Sequence, residues 1–104
     1  METRSDLPLP PDLDAPRLIV GTGLIQVVIV TEPFVLRTFK GYAPAVNVRH
    51  ERQRTLHTLY IGAKSIADQL EPMREGNKGR FVGLEFAIRK ESDDQYAKYV
   101  ITRE

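Results

Sequence analysis

Two histidines, three serines, a few acidic pairs and one glycine-rich turn are the groups in this sequence that could do chemistry. None is spaced for it. His50 and His57 stand seven residues apart, and no acidic residue lies at a matching spacing on a common face. A metal needs three or four converging ligands, so no metal site is expected. There is no cysteine, which excludes disulfides, zinc-thiolate sites and a cysteine nucleophile, and fits a reducing compartment. Ser5, Ser65 and Ser92 have no base placed beside them, and no Gly-x-Ser-x-Gly occurs. Glu85 and Glu91 could form an acid–base pair, but outward charges on a strand are ordinarily solvated. Gly76-Asn77-Lys78-Gly79 follows a helix and precedes a strand, whereas a phosphate loop needs strand, loop, helix. The sequence is therefore expected to be no enzyme and to carry no cofactor.

What remains is basic and aromatic. Arg37, Lys40, Asn47, Arg49, Arg52, Arg54, Tyr60 and Arg89 are expected on outward strand faces or on a connecting loop. Phe39 and Tyr42, around the first turn, add rings. Single-stranded nucleic acid is bound by cations that track phosphates and by aromatic rings that stack on bases. These ten residues are the candidate binding set. Two of them have a second reading: Phe39 as a core residue, and Tyr60 as a cover for the sheet or part of a dimer interface.

The charge balance permits such a ligand without demanding it. Net charge is +1, but residues 1–17 hold two arginines against four carboxylates, which leaves the rest of the chain at +3. Residues 1–17 also hold four of the seven prolines and show no periodicity. They read as an acidic, Pro-rich flexible arm, or as an arm that docks on a basic face or a partner chain. Residues 18–104 then form one domain, since 104 residues suffice for one core and not two. The longest apolar stretch, 24–30, is broken by Gln26. It is far short of the ~20 residues of a membrane helix. The residues before it are acidic and Pro-rich, unlike a signal peptide. No membrane association is expected, and the default location is the cytoplasm.

The elements that must position the candidate set follow from hydrophobic period. A long first strand covers 24–31 and resumes over 34–40, interrupted by Pro33, which indicates an edge or a bulge. Residues 41–44 read as a turn. A second strand covers 45–49, with Val46 and Val48 inward and Asn47 and Arg49 outward. A loop over 50–54 leads to a third strand over 55–61. Ser65 is expected to cap a helix whose stripe is Ile66, Leu70 and Met73, shortened or kinked by Pro72. Fourth and fifth strands cover 80–90 and 95–102, joined by a hairpin turn at 91–94.

The order β-β-β-α-β-β, mainly β with one short helix, resembles the OB-fold, a five-stranded, partly open Greek-key barrel. The segments that carry the resemblance are Phe34-Val35-Leu36-Arg37, Leu59-Tyr60-Ile61-Gly62 and Phe81-Val82-Gly83-Leu84-Glu85. Over residues 20–102 the chain looks like the compact single-domain single-stranded DNA-binding proteins of phage and archaeal type. It lacks the tryptophan that such proteins often use for stacking, and the acidic C-terminal tail of the bacterial relatives. The resemblance implies largely sequence-independent binding of single-stranded DNA on a basic and aromatic barrel face, in replication or repair. Two alternatives stay open: a protein-interaction or self-assembly module using strand edges and the N-terminal arm, with a homo-oligomer as its product, and an RNA-binding OB domain.

Overall fold

The β-branched and aromatic runs pair as six antiparallel strands, and one amphipathic helix is buried against them. The computed structural model describes residues 10–94 and 96–102. In chain order the elements are β1 (Ile25–Ile29), β2 (Phe34–Thr38), β3 (Gly41–His50), β4 (Thr55–Tyr60), α1 (Lys64–Glu75), β5 (Glu85–Lys90) and β6 (Tyr99–Thr102). The chain is mainly β with one helix, as its pattern implies. Among the described residues it has six strands rather than five, and the sheet does not close into a barrel.

β3 organises the sheet. β2 and β1 share one of its edges, β4 takes the other, β5 pairs with β1, and β6 pairs with β5. β1 and β2 are the two halves of the expected first strand. The break has visible causes. Val30 still donates its N–H to the Asn47 carbonyl, but at Thr31 the side-chain Oγ1, not the backbone, accepts the Asn47 N–H. Glu32 turns its carboxylate to the backbone N–H groups of Phe81 and Val82. Pro33 then has no N–H to offer.

The 41–44 segment, expected as a turn, is instead the start of β3. Only Phe39 and Lys40 form the hairpin loop, since Thr38 pairs with Gly41. Gly41 holds φ at +118°, which an L side chain rarely adopts. Thr38 Oγ1 braces the loop by donating to the Gly41 carbonyl and accepting the Lys40 N–H.

The core lies between one sheet face and α1. Val27, Ile29, Val46, Val48, Leu59, Phe86 and Ile88 supply the sheet side, and Ile66, Leu70 and Met73 the helix side. The helix runs twelve residues with Pro72 in its last turn. Its N-cap is Ala63, which makes no side-chain cap bond, and not Ser65. Ser65 Oγ instead accepts the N–H of Tyr99 on β6. The expected fourth strand loses residues 80–84, because Gly83 sits at φ +95° and the Glu32 carboxylate holds the two residues before it. The fifth is observed as β6 alone, and Gln95 of the expected span lies outside the described residues.

Two of the sheet's open edges are covered. On β4, Thr58 donates its N–H to the Pro16 carbonyl and accepts from Leu18 N–H, each at 2.8 Å. On β6, Gln69 of α1 donates to the Tyr99 carbonyl and accepts from Ile101 N–H. A crevice lined by Arg17, Leu18, Tyr60, Ile66 and Tyr99 lies between these covered edges. Among the described residues no helix is long and apolar enough to cross a membrane.

Candidate functional site

Nine of the ten candidate residues fall in three places, and the tenth, Arg89, is on β5, paired with Val100 of β6. The outer face of β3 and β4, expected to be the open binding surface, is occupied by the chain itself. Asn47 is fully buried. Its Oδ1 accepts the Asp12 N–H at 2.7 Å, and its Nδ2 donates to the Asp12 carbonyl at 3.2 Å. Opposite it, Thr58 is 2% exposed and donates its hydroxyl to the Ala15 carbonyl. Asn47 therefore anchors backbone and presents nothing to a ligand, a correction to its expected outward role. Tyr60 does lie on the outer face, but it is half-buried, with the Arg17 guanidinium 5.4 Å from its ring centre. Residues 12–17, expected as flexible arm, are thus bonded to the sheet, and a domain boundary at residue 18 would cut this contact.

A second group surrounds the β3–β4 turn. Arg49 sends Nε and Nη2 to one oxygen of Glu51, so its charge is already engaged. Arg52 and Arg54 are exposed, and Arg54 takes a left-handed backbone at φ +60°. Arg89, on β5, is half-buried and donates to the Lys90 carbonyl.

The third group is the β2–β3 hairpin, and here the rings and cations come together in the open. Arg37 and Tyr42 are directly paired across the two strands, so their side chains share a face. Val35 and Pro44 form the next pair on that face. Tyr42 is 74% exposed, Val35 61%, and Phe39 at the tip 99%. The core reading of Phe39 is overturned, because its position in a two-residue loop leaves it no neighbour to pack on. Lys40, beside it, is exposed as well.

One exposed ring escaped the sequence pattern. Tyr96 is 85% exposed in the β5–β6 connection, followed by the exposed Lys98. Alternation places it in the expected fifth strand, and only the acidic turn residues before it hint that the connection runs longer.

Among the described residues no three His, Asp or Glu side chains converge. His50 and His57 lie 6.2 Å apart between ring centres, but His50 Nδ1 already accepts the Gln53 N–H and His57 Nε2 pairs with Thr55 Oγ1. Lys64, Glu71 and Arg74, all on α1, are displaced from their ordinary pKa values. The hydrogen bond to Asp68 raises Lys64, and the one from Arg74 lowers Glu71.

Compared with known proteins, the chain matches no family model, no curated protein and no solved structure.

Proposed function

We propose that this chain binds single-stranded nucleic acid, DNA in preference to RNA, through the open face and tip of the β2–β3 hairpin. The observation that carries the reading is the cross-strand pair Arg37–Tyr42 beside Phe39 and Lys40, all four exposed. A phosphate needs a cation with donors free to reach it, and a base needs a ring face that water alone covers. The β3–β4 face, with Asn47 buried and Arg49 on Glu51, offers neither.

The strand pairing supports an OB-type reading of the fold. If β1 and β2 count as one bent strand, the sheet runs β4, β3, β1/β2, β5, β6, with the helix between the third and fourth strands. An OB barrel binds oligonucleotides with its second and third strands and the loops flanking them, among them the first hairpin loop and the last. In this chain those two loops carry Phe39 and Tyr96. Fold analogy alone assigns no ligand, so the proposal stands on the hairpin residues.

The test is a fluorescence titration with labelled single-stranded and duplex oligonucleotides of DNA and RNA. The expected result is saturable, salt-sensitive binding of single strands that exceeds duplex binding. Equal, weak binding to all of them would refute it.

A further inference from the structure

We infer that the free edge of β2 pairs with β2 of a second copy of this chain, in one defined antiparallel register. Among the described residues, the edges of β4 and β6 are covered by Pro16–Leu18 backbone and by Gln69, whereas β2 pairs with β3 alone. An uncovered edge is a template for another strand.

The hydrogen-bonding direction of β2 fixes which groups are offered. Pro44 turns its carbonyl toward β4, where it accepts the Ile61 N–H. The Val35–Pro44 pair is therefore a non-hydrogen-bonded one, and by alternation so is Arg37–Tyr42. Val35 and Arg37 then direct their N–H and C=O groups away from β3, outward.

Two such edges meet best about a two-fold axis through Leu36. Val35 then exchanges both backbone bonds with Arg37 of the second copy, and Arg37 with its Val35, for four bonds in all. Leu36 faces its own counterpart on the other side of the sheet. The register sets no like charges opposite each other, and each exposed valine lies under an arginine stem. It also carries the exposed Phe39 of one copy toward the exposed Pro33 of the other. The alternative register, Val35 on Val35, would place Arg37 opposite Pro33, which has no N–H to exchange. The axis stands perpendicular to the sheet, so both Arg37–Tyr42 pairs face the same side.

The register makes opposite predictions for opposite charges at one exposed position. Val35→Lys puts a lysine against the second copy's arginine, and Val35→Glu puts a carboxylate there. Sedimentation equilibrium over a concentration series should show a wild-type monomer–dimer equilibrium, weakened at least tenfold by Val35→Lys and strengthened by Val35→Glu. Val35→Pro removes only outward N–H groups, two per dimer, and proline is tolerated on an edge facing solvent. It should weaken association roughly thirtyfold while the circular dichroism spectrum stays that of the wild type. A wild-type protein that stays monomeric at its highest soluble concentration would overturn the inference. So would a dimer that responds alike to both charges. Neither outcome bears on nucleic-acid binding, which is read separately by titration.

Discussion

Asn47 shows how one residue can be placed correctly on a strand and misread in its role. Its position between Val46 and Val48 set it on the outer face, where a polar residue is normally solvated. The structure keeps it on that face and buries it beneath Asp12. A clue lies in Thr58, another small polar residue, which stands opposite it on β4. Two hydrogen-bonding side chains in the middle of adjacent strands suit a backbone that must be held. Asn47→Ala is accordingly expected to cost about 1–3 kcal/mol of stability, the penalty for leaving buried partners unpaired. Single-strand affinity should not change, because the residue is covered. Chemical denaturation and a binding titration on the same preparation read both effects. A stable variant with weakened binding would return Asn47 to the ligand site. Phe39 is the converse case. Nothing in its alternation with Arg37 and Val35 distinguished a strand residue from a loop residue, and the loop length decided its exposure.

At the scale of elements, hydrophobic period gave the right classes and the wrong ends. The helix was legible because Ile66, Leu70 and Met73 recur at i, i+4 and i+7, and all three are buried. Met73→Asp should therefore lower the thermal midpoint sharply, since it would bury an unpaired carboxylate. Met73→Leu should cost less than about 1.5 kcal/mol. Equal melting temperatures for wild type and Met73→Asp would mean that the stripe does not face the core. The strand ends were not legible, because long-range partners set them. Glu32 accepts N–H groups some fifty residues away, which delays the start of the expected fourth strand and helps split the first. Such a clasp has no local period. The 41–44 segment misled for a different reason: glycine and proline mark turns, yet Gly41 closes a two-residue loop and Pro44 lies in β3 just past its last pair with β4, Ala45–Tyr60, where the missing N–H is least costly.

For the whole molecule, residues 12–17 change from appendage to component, while residues 1–9 of the expected arm lie outside the described residues. Removing residues 1–17 strips the partners of Asn47 and Thr58 and uncovers the β4 edge. The truncated protein is expected to melt lower and to associate through that edge, whereas removal of residues 1–9 keeps every one of those bonds. A truncation to residue 18 that melts like the full chain would show the contact to be dispensable. The same truncation removes a net charge of −2, so any gain in nucleic-acid affinity must be judged on the folded fraction alone. The net charge of +1 never identified a ligand; what favours one is the concentration of exposed rings and cations on a single hairpin.

The most direct measurement of that claim is the single-strand affinity of Tyr42 variants across a salt series, with Arg37→Ala beside them. Tyr42→Ala should lose about 1–3 kcal/mol of binding, the range for removing a stacking ring. Tyr42→Phe should lose far less, because stacking needs the ring and not the hydroxyl. Arg37→Ala should flatten the slope of log K against log salt by about 0.7, one phosphate contact on a single strand. Stability should hold in all three, since both side chains are exposed. Wild-type affinity in Tyr42→Ala together with an unchanged salt slope in Arg37→Ala would contradict the hairpin as the binding surface.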